Sequence, residues 1–198
     1  LRYGVTVNGG DISSSPADLS AHLTLVGEAP ARPLLRTGAC AGDWIYVTGA
    51  LGGSILGKHA NFDPRLAEGH WLAARKGVRC MIDVSDGIAK ELRLITPDGC
   101  RAAIDPEAVP VSLAARRIAR KSGRPALEHA LTDGEDFELL FGATPGPPSL
   151  AIEKTWRTRF RTRLTRIGTF VNEDEPRVNE VDFSGLAGFE HLRGKQKK

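Results

Sequence analysis

Apolar and polar positions along this chain group into segments short enough to be single strands and helices. Residues 44–48, Trp-Ile-Tyr-Val-Thr, lie between Gly42-Asp43 and Gly49 and predict a strand. The apolar run 78–82 predicts a second, buried strand, and 88–95 repeats apolar residues at helical spacing. Strands are also predicted over 21–26, 137–143 and 164–171. Helices are predicted over 64–76, where Pro64 suits the start of a helix, and over 112–121. Residues 49–57 read as a glycine-rich turn into a short helix. Strands and helices interleave, so the predicted fold class is α+β with mixed α and β layers. The loop 27–33 carries Pro30 and Pro33 and predicts a boundary between a small piece, 1–30, and a compact domain, 31–198.

Three acidic turns punctuate this pattern: Gly9-Gly10-Asp11, Asp83-Val84-Ser85-Asp86-Gly87 and Gly134-Glu135-Asp136-Phe137-Glu138. The second falls where the strand 78–82 gives way to the helix 88–95. Glycine beside a carboxylate lets the backbone approach closely and take positive φ. Magnesium takes oxygen ligands, keeps several waters and needs few carboxylates when phosphates complete its shell. Asp83 and Asp86 can therefore be read as two ligands of one metal cluster, with Ser85 offering a hydroxyl to a phosphate near a helix N-terminus. Ser85 and Asp86 can equally be an N-cap. Glu135-Asp136 can be the solvated end of the following strand, and Gly-Gly-Asp is ordinary turn chemistry.

The ordered set adds to these readings. Gly9-Gly10-Asp11, Leu35-Arg36-Thr37-Gly38-Ala39, residues 42–49, Asp83-Val84-Ser85-Asp86-Gly87, residues 134–140 and Gly188-Phe189-Glu190-His191 together resemble the thiamine-monophosphate kinase family. That family lies within the superfamily of aminoimidazole ribonucleotide (AIR) synthetase, selenophosphate synthetase and a hydrogenase maturation factor. The resemblance implies an AIR synthetase-like C-terminal domain with a remnant of the N-terminal β domain ahead of it. It implies an ATP-dependent phosphotransferase of thiamine biosynthesis that makes thiamine diphosphate, with Mg2+ as cofactor and ATP as co-substrate. It also implies a cytoplasmic homodimer when full length. Position by position, it implies metal ligation by Asp11, Asp83 and Asp86, and ATP contacts from Gly10, Asp11, Arg36 and Ser85. Glu135 and Phe189 fall on the thiamine monophosphate side, where an aromatic face suits a flat cationic ring. Asp133 stands where the family usually has the first glycine of its third motif. The family's Asp-Asp-rich motif would lie upstream of Leu1, so the chain reads as a C-terminal fragment of about two thirds of the family's length.

Composition changes little. The 198 residues are 41% hydrophobic and 26% charged, ordinary for a globular domain. Cys40, Cys80 and Cys100 are odd in number and widely spaced, which argues against a disulfide framework or a zinc site. No segment has the length and apolarity of a membrane span, so a cytoplasmic protein is expected. His59, His70 and His191 lack partners at ligand spacing and read as surface or packing residues, and no Ser-His-Asp arrangement or cysteine nucleophile is expected.

Charge supplies a rival reading. The net charge is +3, and between 154 and 166 Arg157, Arg159, Arg161 and Arg163 alternate with Trp156, Phe160 and Leu164. Such a stripe can track RNA and stack its bases. The plainer account is a solvated strand or helix face whose apolar side meets the core, and no nucleic-acid partner is expected. A third reading is an inactive truncated module that binds Mg-ATP and transfers nothing.

Overall fold

The computed structural model describes residues 3–14, 16, 19–29 and 32–186. The chain divides into two compact units, Leu1–Pro30 and Ala31–Lys198. The described residues of the first unit contain no helix or strand, so the strand expected over 21–26 does not form. A strand needs a neighbour for its backbone N–H and C=O groups, and none pairs with this segment among the described residues.

The second unit is built on a five-stranded antiparallel sheet. Its strands are β1 (Trp44–Thr48), β2 (Val78–Asp83), β3 (Cys100–Ile104), β4 (Leu139–Ala143) and β5 (Leu164–Asn172), in the order β2-β4-β1-β5-β3. Among the described residues five α-helices accompany it: α1 (Leu66–Ala73), α2 (Ile88–Ile95), α3 (Leu113–Ser122), α4 (Ala126–Thr132) and α5 (Pro147–Arg159).

Strand periodicity decides the layering, because successive side chains leave opposite faces of a sheet. Ile45 and Val47 of β1 and Leu140 of β4 enter one core with Ile88, Leu92 and Ile95 of α2 and Leu131 of α4. Tyr46 of β1 and Phe141 and Ala143 of β4 enter the other, with Trp71 and Leu72 of α1 and Ile152 and Trp156 of α5. Both faces of the central strands are covered, which explains why residues 44–47 are continuously apolar rather than alternating.

One expectation needs correction here. The run 78–82 is an edge strand rather than a fully buried one, with Arg79 and Asp83 exposed. Its outer side is partly met by the segment before β1, where the Met81 N–H donates to the Leu35 carbonyl at 2.9 Å. The basic stretch 154–166 is divided between α5, a turn and β5. Gly146-Pro147-Pro148 starts α5 with proline at the first helical positions. Trp156 is 2% exposed and donates its indole N–H to the Thr162 carbonyl at 2.6 Å, so it belongs to the core and offers no face to a base.

Candidate functional site

Two of the acidic turns are sewn together. The Val84 N–H donates to the Glu138 carbonyl at 2.8 Å, the Phe137 N–H to the Val84 carbonyl at 2.8 Å, and the Glu135 N–H to the Ser85 carbonyl at 2.6 Å. Gly134 makes this approach possible. It sits at φ 75°, and a Cβ there would lie 2.8 Å from the Ser85 carbonyl oxygen. Asp83, Ser85, Asp86 and Glu135 are therefore carried on adjacent turns at one end of the sheet. Glu135 and Phe137 both take positive φ, 56° and 50°, a conformation that costs a non-glycine residue about 1–2 kcal/mol. The Phe137 ring stacks on Phe62 with centroids 4.1 Å apart.

The turn into α2 is not a side-chain N-cap. Gly87 holds the N-cap position at φ 102°, and neither Ser85 nor Asp86 caps the helix. The contact runs in the opposite direction. Glu91, in the first turn of α2, accepts the Asp86 N–H at 2.7 Å and the Ser85 hydroxyl at 3.4 Å on Oε1. Asp86 also pairs with Lys90 one turn on. Glu91 is 2% exposed; burial pushes its carboxyl above the usual range, countered in part by the Asp86 N–H.

The third motif contributes buried carboxylates that the sequence reading passed over. Asp136 is 1% exposed and is not a solvated strand end. It accepts the Gly52 N–H on both oxygens at 2.9 Å and the Ser54 hydroxyl at 2.7 Å. Burial raises its carboxyl to about 6. Glu138, also 1% exposed, accepts the Thr48 hydroxyl at 2.7 Å, Lys58 at 2.8 Å and Arg65 through two bonds of 2.7 Å. Burial would raise its carboxyl, but Arg65 and Lys58 outweigh burial and hold it below the usual range. Asp133 ends α4 and accepts the Gly53 N–H at 3.1 Å. Residues 49–58 are thus pinned to the 133–138 motif by three carboxylates. The alternation Asp133, Glu135, Asp136, Glu138 was the available signal, because acids flanking an apolar strand need partners if they turn inward.

A Ser-His-Asp relay is present where none was expected. Ser122 Oγ lies 2.8 Å from His129 Nε2, and His129 Nδ1 lies 2.9 Å from Asp133 Oδ1. Its surroundings suit a structural tie. The Gly123 N–H donates to Ala119, the Arg124 N–H donates to Ser122 itself, and Asp133 is shared with the loop at Gly53. Neither nearby amide is available as an oxyanion donor. Cys80 is buried, and burial pushes its thiol up to about 11, which disfavours a thiolate nucleophile.

Arg36 is exposed on the segment before β1, beside the Leu35 that bonds β2. Gly10 and Asp11 lie in the first unit. Phe189 lies outside the described residues. A cavity of about 890 Å3 sits at the opposite end of α2, lined by Arg93, Thr96, Arg101 and Phe183 among others, and none of the expected site residues lines it. The sewn turns, not this cavity, carry the candidate chemistry.

The donor chemistry at this turn suits Mg2+, with substrate oxygens and water completing its shell. Asp83 and Asp86 offer carboxylates on one turn, while among the described residues no three His, Cys, Asp or Glu side chains group to hold a metal. Magnesium commonly binds through one or two carboxylates with phosphates and water.

No family model matches the chain. Among proteins of assigned function, the thiamine-monophosphate kinase of Rhodopirellula baltica is 41% identical over 171 residues, covering 86% of this chain and 52% of that protein. This chain is a homologue of the thiamine-monophosphate kinases. The Salmonella typhimurium kinase is 36% identical over 162 residues, covering 70% of the chain and 48% of its own length. The chain therefore spans about half the length of the curated relatives it matches. Among solved structures, the kinase from Stenotrophomonas maltophilia superimposes with a TM-score of 0.57 at 25% identity, covering 72% of this chain and 51% of that one. AaThiL, complexed with AMPPCP and TMP, gives 0.52 at 25% identity, with 71% and 48% covered. The hydrogenase maturation protein HypE of E. coli shares the fold at 19% identity, with a TM-score of 0.52 over 73% of this chain and 47% of that one. The second unit has the AIR synthetase-like fold that the kinase resemblance implied. Among the described residues, no helix is long and apolar enough to cross a membrane.

Proposed function

We propose that this chain is the C-terminal part of a thiamine-monophosphate kinase, in which the γ-phosphoryl group of ATP passes to the phosphate of thiamine monophosphate, giving thiamine diphosphate and ADP. The observation that carries the reading is the sewing of the 83–87 turn to the 134–138 turn, which sets the proposed nucleotide-side residues Asp83, Ser85 and Asp86 beside the proposed substrate-side residue Glu135. A phosphoryl donor and its acceptor must meet in line, so their binding residues belong on adjoining turns.

In this mechanism Arg36 and Gly10 contact the nucleotide, Glu135 orients thiamine monophosphate and Phe189 faces its rings. Mg2+, held by Asp83 and Asp86 with Asp11, would neutralise the transferring phosphates. The attacking phosphate oxygen is ionised at neutral pH, so no side chain has to act as general base, and transfer is direct, without a phosphoenzyme. The full-length protein would be a homodimer in the cytoplasm.

The alternative is a module that binds Mg-ATP without turnover. Thiamine diphosphate formation from ATP, Mg2+ and thiamine monophosphate separates them when this chain is assayed beside one extended upstream. Product from the extended chain supports the kinase reading, and product from this chain as well excludes the inert module. Product from neither overturns the kinase reading.

A further inference from the structure

The basic stretch 154–166 encloses a cavity of about 570 Å3 between the C-terminal half of α5 and the start of β5, and Arg157, Arg161, Arg163 and Arg166 all line it. The cavity lies on the Trp156 side of the sheet, opposite α2, and none of the expected site residues borders it. Its volume is that of a small-molecule site.

Four guanidiniums around one hollow repel one another unless anions sit among them. Among the described residues, none of the four side chains makes a hydrogen bond or a salt bridge. The one acid in the lining, Glu153, stands a helical turn before Arg157, the favoured order for an ion pair. Its Oε1 instead accepts the hydroxyl of the buried Tyr46 at 2.7 Å. Arg166 lies over the Trp44 ring, 4.2 Å from its centroid, a contact that leaves its N–H donors unused. The helix dipole accounts for Arg157 near the end of α5, but not for Arg161 and Arg163 on the turn or Arg166 on β5.

The turn that carries these arginines is fastened. Thr162 donates its hydroxyl to the buried Glu68 at 2.7 Å, and its carbonyl accepts the Trp156 indole N–H at 2.6 Å. The Arg163 carbonyl accepts the Gly49 N–H at 2.8 Å. The backbone under Arg161 and Arg163 is thereby set, and only side chains need ordering when a ligand enters.

We propose that this cavity binds an oligophosphate, a chain of two or more phosphoryl groups held by Arg157, Arg161, Arg163 and Arg166. Planar guanidinium forks match phosphate oxygens two at a time, and four of them against one committed carboxylate call for a multiply charged anion. A nucleic acid fits less well. Trp156 is buried, and the Phe160 ring packs on Trp156 and Trp71, so these rings are already engaged and offer no platform to a base. The site is separate from the proposed kinase chemistry and does not depend on it.

The test is calorimetric titration of this chain with inorganic triphosphate, in the presence of a chelator so that no divalent cation takes part. Wild type should bind, and Arg161→Ala with Arg163→Ala should weaken binding about tenfold or more. Arg116→Ala with Arg117→Ala, which removes the same charge from the exposed face of α3, should change it less than about twofold. Should the first pair fail to fold, Arg157→Ala alone should still weaken binding while the melting temperature holds. Parallel titrations with inorganic diphosphate and ADP separate the sources of the phosphate chain: equal affinities mark the chain alone, and tighter ADP binding that falls in the same arginine variant marks the tail of a nucleotide, either of which upholds the inference. Absence of triphosphate binding, equal weakening by the two arginine pairs, or tighter binding of a single-stranded oligonucleotide through Arg161 and Arg163 would overturn it.

Discussion

Arg65 grips Glu138 through two hydrogen bonds, Nε to Oε2 and Nη2 to Oε1, each 2.7 Å long. The pair joins the segment before α1 to the start of β4, and Lys58 and Thr48 complete the shell of the same carboxylate. Removing the acid strands two cations around a buried site. Glu138→Ala should therefore cost about 3–5 kcal/mol in urea unfolding. Arg65→Lys, which loses the planar fork but keeps the charge, should cost less.

Asp136 makes stability depend on pH in the opposite sense to Glu138. Its folded value of about 6 lies above the ordinary 3.8 because burial penalises the ionised form. The folded chain holds a proton that the unfolded chain has released. Its stabilisation is complete below about 3.8 and is lost as pH rises through about 6. Between about pH 7 and pH 4 the wild type should gain about 2 kcal/mol relative to Asp136→Asn, which does not titrate. Glu138, held below its ordinary 4.5, is stabilising above that value and loses the effect as pH falls through its folded value. Urea midpoints of both proteins across this range check the sign.

Gly134 and Gly99 have nearly the same φ, 75° and 72°, but different surroundings. A Cβ on Gly134 would press against the Ser85 carbonyl and the Asp86 backbone, whereas one on Gly99 meets nothing within 4 Å. Gly99→Ala should cost only the backbone strain, about 1–2 kcal/mol. Gly134→Ala should cost about 3 kcal/mol or more, because it also prises the two acidic turns apart. Thermal unfolding of the two variants compares them directly.

Asp86→Asn tests the proposed metal ligand. Its pair with Lys90 is a half-exposed i,i+4 contact, worth under about 1 kcal/mol to folding. If the proposed kinase reading holds, turnover in the chain extended upstream should fall about 100-fold or more while the unfolding midpoint barely moves. Parallel loss of activity and stability would remove Asp86 from the site.

Trp156 distinguishes core from interface in the basic stretch. Packed between Trp71 and Phe160, it should cost about 3–5 kcal/mol when changed to alanine. Arg157→Ala and Arg159→Ala, on the exposed side of α5, should leave stability within about 0.5 kcal/mol. Oligonucleotide binding that followed the arginines and fell with added salt would reopen the RNA reading.

Periodicity alone located β1 and α2 residue for residue, because one is a run of apolar residues between Gly42-Asp43 and Gly49 and the other an amphipathic helix of about two turns behind Gly87. It missed β3, whose Cys-Arg-Ala-Ala-Ile has little strand preference and is held by pairing with β5. It missed α4, which has only seven residues and is closed by contacts with α2 and α3. Residues 21–26 show the converse, a strand-like pattern without a partner strand.

The sequence by itself determined the order of the motifs, the kinship with thiamine-monophosphate kinases and the continuous apolar run of β1. These are local or cumulative along the chain, and spacing preserves them. Only the tertiary structure decided that Asp136 and Glu138 turn inward to Gly52, Ser54 and Arg65, and that Glu91 rather than Ser85 governs the turn into α2. A carboxylate's role depends on which donors reach it. Donors such as Arg65, 73 positions from Glu138 in sequence, are brought there by strand pairing that no local pattern encodes.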